Sequence, residues 1–141
     1  MAFWLFKTEP GTFSWDDQVR AGPKGEEWNG VRNALAQKHM RAMKVGDLGF
    51  FYHSVDEKSI VGVVKIVSEI HPDSTDKSGR WNCVDVAAVA AFPKHVSLVE
   101  IKAEPRLADM VLVKNSRLSV QPVTPEEWAL ICKMGEYSSK H

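Results

Sequence analysis

Four side chains able to do chemistry stand at the ends of the first two strands that the sequence suggests: Lys7 and Glu9, then His53 and Ser54. A Lys and a Glu at i and i+2 on extended chain point to the same side, so they form an ion pair or line a pocket together. Near a Ser or Tyr, a desolvated Lys of this kind also serves as a catalytic base. No nucleophile motif accompanies them, since GxSxG, a P-loop and HExxH are all absent. Spacing alone does not favour an enzyme.

A second group of residues suits binding. Trp28 sits in the polar, glycine-containing stretch Glu26–Asn33, where it reads either as a core anchor or as the wall of a cleft. Arg32 and Arg117 each stand beside small polar residues in a loop next to a strand or helix start, whereas Lys38 and Arg41 read as a solvated helix face. Asn33, at a helix N-terminus, brings free backbone N–H groups of the kind that hold phosphate. Cys83 and Cys132 have no CxxC partner and no histidine at ligand spacing, so they read as reduced core thiols and not as zinc ligands.

The elements that must position these groups follow from turn and capping signals. Phe3–Lys7 is a short buried strand, stopped where Pro10 holds Glu9 extended. Ser14 with Asp17 opens a short helix, and Asn33 caps a second helix to about Met43, with Leu35, Met40 and Met43 as its apolar positions. Leu48–Ser54 is a strand. Asp56–Ser59 connects it to a long strand, Ile60–His71, where Gly62 marks a bulge or a close backbone approach. Pro72–Arg80 is a polar loop, and Trp81–Phe92 is a third long strand ended by Pro93. Ser97 with Glu100 and Thr124 with Glu127 are two further capping boxes, and Leu118–Val123 between them is a last strand with Ser119 and Gln121 on its polar face. Phe3, Phe6, Phe50 and Phe51 are core. The result is one mixed α+β domain over residues 1–141, with a curved sheet that closes or nearly closes into a barrel.

Composition narrows the function. The chain is 44% hydrophobic and 26% charged, an ordinary globular balance. Eighteen basic against eighteen acidic residues leave no net charge, which disfavours a long electrostatic track on nucleic acid. No apolar run approaches the roughly 18 residues needed to span a bilayer, and the first residues lack the marks of a signal peptide. These features predict a soluble, cytoplasmic protein.

Taken in order, six segments resemble the EVE domain family, in the PUA-like group of folds. They are Trp4-Leu5-Phe6-Lys7-Thr8-Glu9-Pro10, Trp28-Asn29-Gly30-Val31-Arg32-Asn33, Met43-Lys44-Val45-Gly46-Asp47, Phe50-Phe51-Tyr52-His53-Ser54, Ile60-Val61-Gly62-Val63 and Ser116-Arg117-Leu118-Ser119-Val120-Gln121-Pro122-Val123. Within the family the likeness is to bacterial relatives of thymocyte nuclear protein. One departure is Asn29, where members often carry an acid. The resemblance implies a PUA-like pseudo-barrel of about five or six mainly antiparallel strands with flanking short helices. It also implies a pocket where the second, fourth and sixth segments meet. By resemblance its ligand-binding residues are Lys7, Glu9, Trp28, Val31, Arg32, Asn33, Tyr52, His53, Ser54, Arg117, Leu118, Ser119, Gln121 and Pro122.

The ligand so implied is a modified nucleotide in DNA or RNA, such as a methylated or hydroxymethylated cytosine. Trp28 and Tyr52 would stack on the base while Ser54, Ser119 and Gln121 pair with its edge. The expectation is a monomeric, non-catalytic binding module without metal or cofactor, leaving room for an effector protein in trans. Two alternatives stand beside it. One is a small ASCH-like hydrolase of modified nucleosides using Lys7, Thr8 and Glu9. The other is an RNA-binding accessory domain, against which the neutral charge argues.

Overall fold

Alternation along two strands decides the architecture. In the computed structural model, β1 (Phe3–Thr8) sends Trp4 and Phe6 into one apolar cluster and Leu5 into another. β3 (Leu48–His53) does the same, with Phe51 in the first cluster and Phe50 and Tyr52 in the second. Successive strand residues face opposite sides, so the sheet carries a core on each face. The structure describes residues 1–55, 57–115 and 117–138. Asp56 of the predicted connection and Ser116 of the sixth segment lie outside them.

The remaining elements extend or cover that sheet. They are α1 (Trp15–Arg20), β2 (Glu26–Glu27), α2 (Ala34–Ala42), β4 (Ser59–Ile66), β5 (His71–Pro72), β6 (Asn82–Cys83), β7 (Asp85–Ser97), α3 (Leu98–Ala103), α4 (Val111–Lys114), β8 (Val120–Val123) and α5 (Pro125–Met134). The six-stranded order is β2-β7-β4-β3-β1-β8, and β5 and β6 form a separate pair. Only β1–β3 is parallel among the described pairs. This curled α+β sheet with short helices is the PUA-like architecture that the sequence predicts.

The capping signals hold. Ser14, Ser97 and Thr124 each form the reciprocal box with the acid three residues on, and Asn33 accepts from the Ala36 amide. Gly62 fits both of its readings. The β4–β7 register shifts there, and a Cβ at Gly62 would lie 2.6 Å from the Trp15 ring.

Strand ends and helix faces required correction. The long strand from Ile60 stops at Ile66 instead of His71, and the strand from Trp81 breaks at Val84 into β6 and β7. Pro93 does not end β7, which runs on to Ser97. The step from Ile60 to Gly62 on β4 faces the step from Val96 to Ala91 on β7, so Pro93 falls in a bulge where its missing N–H breaks no ladder bond. On α2 the buried residues are Ala36, Gln37 and Met40, whereas Leu35 is exposed. The last strand begins at Val120, and Gln121 is fully buried, not on a polar face.

Candidate functional site

A cleft of about 540 Å³ opens beside the C-terminal end of β1, lined by residues of β1, the loop after it, β2, the Trp28–Arg32 loop and Ser119. The Trp28–Arg32 loop is built rigidly. The Trp28 amide donates to the Val84 carbonyl at 2.8 Å, docking the loop on the sheet. Buried Gln37 donates from Nε2 to the carbonyls of Val31 and Asn82, and its Oε1 accepts from the Asn82 amide. Asp73 completes the frame from the β5–β6 loop. Its carboxylate accepts from the Gly30 amide at 2.8 Å, Arg32 Nη1 at 3.0 Å, and both the amide and hydroxyl of Thr75. Gly30 needs its glycine, since its φ is +79°.

The electrostatics follow from these bonds. Burial pushes the Asp73 carboxyl upward, yet the donors from Thr75, Gly30 and Arg32 outweigh it and hold the pKa at about 2. Arg32 is therefore committed to a carboxylate and also lies over the Trp81 ring, 5.8 Å from its centroid. Lys7 also lines the cleft, and burial lowers its pKa. Glu26 and Glu27 bring negative charge to the same cleft.

Of the predicted site residues, the fold gathers Lys7, Trp28, Val31, Arg32 and Ser119 at this cleft. Trp28 answers to both of its readings. It faces the cleft but is only 6% exposed, packed edge-on against Phe6, Phe13 and Phe51. Tyr52 is not the second wall, because strand alternation turns it into the opposite core cluster, where burial pushes its pKa to about 12. Its place beside Trp28 is taken by half-buried Phe13.

The other predicted residues lie elsewhere. His53 Nε2 accepts from the Trp15 amide at 3.0 Å and Nδ1 meets Glu57. The Ser54 hydroxyl donates to the Thr8 carbonyl, and Asn33 is occupied as the cap of α2. Leu118 is core, and Gln121 donates to the Leu118 carbonyl at 2.7 Å. Pro122 pairs with Trp4 on β1. Exposed Glu9 and Arg117 are not among the lining residues.

Sequence reasoning missed Phe13, Thr12, Glu26, Glu27 and the framing pair Gln37 and Asp73 as parts of this site. A glutamine on the packed side of α2 was a usable signal, because a buried amide must be clamping something. Both cysteines are free and packed in or against the core, as expected, but chain spacing did not reveal the histidine beside Cys83. Pairing of β5 with β6 sets His71 directly opposite Cys83, with Nε2 4.0 Å from Sγ.

Comparison with known proteins bears on what such a cleft holds. The family model for the EVE domain matches residues 2–134. Thymocyte nuclear protein 1 from Homo sapiens is 35% identical, over 94% of this chain and 73% of that protein. Protein Atu2648 from Agrobacterium tumefaciens is 49% identical with a TM-score of 0.95, covering 99% of this chain and 97% of the other. The human THYN1 protein, solved in complex with 5-methylcytosine-containing DNA, is 34% identical with a TM-score of 0.88, covering 99% and 100%. The YTH domain of Zygosaccharomyces rouxii MRB1, at 19% identity and a TM-score of 0.59 over 99% and 89%, shares the fold alone.

Proposed function

The chain belongs to the EVE domain family, and from that premise we propose that it is a non-catalytic module taking one modified nucleobase of DNA or RNA into its cleft. A methylated or hydroxymethylated cytosine is the ligand of first choice. The observation that carries this reading is the make-up of the cleft. It combines Phe13 and the facing part of Trp28 with the polar residues Lys7, Thr8, Thr12 and Ser119. Its volume of about 540 Å³ falls in the usual range for small-ligand sites. The human THYN1 complex with 5-methylcytosine-containing DNA supports the ligand class.

The charges fit a base better than a phosphate track. Arg32 is neutralised by Asp73, and Glu26 and Glu27 repel phosphate, so the cleft offers little to a run of phosphates. The hydrolase alternative is weaker here. Lys7 and Thr8 line the cleft but Glu9 does not, and the Thr8 hydroxyl donates to the Phe13 carbonyl at 3.0 Å.

A thermal-shift panel of modified nucleotides and short oligonucleotides tests the reading. A ligand at 100 times its Kd adds about 2.7 kcal/mol, several degrees for a domain of this size. Methylated or hydroxymethylated cytosine should raise Tm more than cytosine does, and acylated cytidine should be recovered unchanged. A panel with no shift at all contradicts the binding module, and release of free cytidine revives the hydrolase.

A further inference from the structure

Two cross-strand pairs bring four potential ligands together at the wall of the cleft that Glu27 lines. His71 stands opposite Cys83 in the β5–β6 pair, and Glu27 stands opposite Asp85 in the β2–β7 pair. Cys83 and Asp85 are two apart on nearly continuous extended chain, so their side chains emerge on the same face. One ligand atom from each of Glu27, His71 and Cys83 lies within 4.8 Å of the other two. Asp85 Oδ1 is 2.8 Å from His71 Nε2.

We propose that Glu27, His71 and Cys83, with Asp85 beside them, form a site for one divalent transition-metal ion, zinc by ligand type. The ligand set argues for that metal class, because a thiolate, an imidazole and a carboxylate together select borderline-soft ions over magnesium or calcium. Distances argue for it too. Tetrahedral zinc with bonds of about 2.1 to 2.3 Å sets its ligand atoms roughly 3.4 to 3.6 Å apart. The 4.0 Å between Cys83 Sγ and His71 Nε2 closes to that with a small side-chain rotation.

Charge is the second, independent observation. Two carboxylates placed directly opposite one another across a strand pair repel; His71 Nε2 bonds Asp85, while Glu27 accepts from the amide and hydroxyl of Ser74. Arg32 does not relieve them, being bonded to Asp73 and Thr75. A divalent cation relieves that repulsion. His71 is already oriented for it, with Nδ1 2.9 Å from the Pro72 carbonyl and Nε2 turned to the cluster, the arrangement of a metal-bound histidine. On binding, the Cys83 thiol proton and the Nε2 proton leave to solvent, and Sγ–metal and Nε2–metal bonds form in their place. The ion would tie β2 to the β5–β6 hairpin whose loop carries Asp73, and so brace the cleft from behind. This holds whatever the cleft binds.

The test uses the full, untagged chain titrated with zinc against a chromogenic chelator, and with cobalt(II) as a spectroscopic probe. One zinc per chain should bind, and cobalt should give a thiolate-to-metal charge-transfer band in the near ultraviolet. His71→Gln and Glu27→Gln, both at partly exposed positions, should each weaken zinc at least about tenfold. Cys83→Ser should abolish the band while Cys132→Ser leaves it intact. If Cys83→Ser does not fold, the two glutamine variants and the Cys132→Ser spectrum decide alone. Absence of zinc binding at micromolar concentration overturns the proposal. So does affinity unchanged in both glutamine variants, or a band lost with Cys132→Ser.

Discussion

At the residue scale, the proposed reading gives Trp28 and Phe13 the place that the family resemblance implied for Trp28 and Tyr52. Trp28 is held edge-on by three phenylalanines, so Trp28→Ala should cost about 3–5 kcal/mol of stability, read as a fall in the urea midpoint. Phe13 is half-buried and bears less of the core. Phe13→Ala should therefore weaken binding of the modified base by about 1–3 kcal/mol while the protein stays folded. Tyr52→Phe, in the opposite cluster, should leave affinity unchanged in the same titration. If Tyr52→Phe weakens binding as much as Phe13→Ala does, the assignment of the cleft wall is wrong. The residue types in Phe50-Phe51-Tyr52-His53 were informative, but which of them share a face depends on strand parity. Fixing that parity needs one buried residue of the strand to be known.

At the scale of elements, the capping boxes and the Asn33 cap were legible because each is satisfied within four residues of chain. The β5–β6 loop was not. It reads as polar surface, yet Asp73 from it is buried and holds the Trp28–Arg32 loop through Gly30 and Arg32. Nothing local announces a bond spanning 43 residues. Asp73→Asn should cost about 2 kcal/mol, since charged acceptors make the stronger hydrogen bonds. It should also loosen the cleft and lower ligand affinity. The pH dependence has a definite sign. The folded pKa of about 2 lies below the ordinary 3.8, so this contribution is fully present above about pH 4 and is lost as pH falls toward 2. Urea midpoints of the wild-type protein and Asp73→Asn should therefore converge across that window. Midpoints that stay equally far apart down to pH 2 would show that the Asp73 charge is not what holds the loop.

At the scale of the whole molecule, the balanced charge and the mixed lining of the cleft fit the proposed reading, in which a nucleotide is engaged and little of the surrounding backbone. With Lys7 and the Asp73-bonded Arg32 lining the cleft, roughly one to three phosphate contacts are expected. The logarithm of affinity should then fall against the logarithm of salt with a slope of about −1 to −3. A slope near −6 would require a cationic track. The fold class was legible, and of the three segments expected to meet at the pocket the second and sixth contribute to the cleft, whereas the Phe50–Ser54 segment does not line it. The pairing of β5 with β6 and the parallel β1–β3 contact were hidden, since long-range pairing leaves no mark at fixed spacing.

The most direct test of base recognition is calorimetric titration with matched oligonucleotides carrying cytosine, 5-methylcytosine or 5-hydroxymethylcytosine at one position, in DNA and in RNA. Stacking and edge contacts act alike on all three bases, so the modification alone sets the difference. Burial of one methyl contributes about 0.8 kcal/mol, close to fourfold in affinity, and a hydrogen bond from Ser119 or Thr12 to a hydroxymethyl group adds more. One modified base should bind at least about fourfold tighter than cytosine, with the preference reduced by Phe13→Ala. Equal affinity for all three bases in both nucleic acids would contradict it.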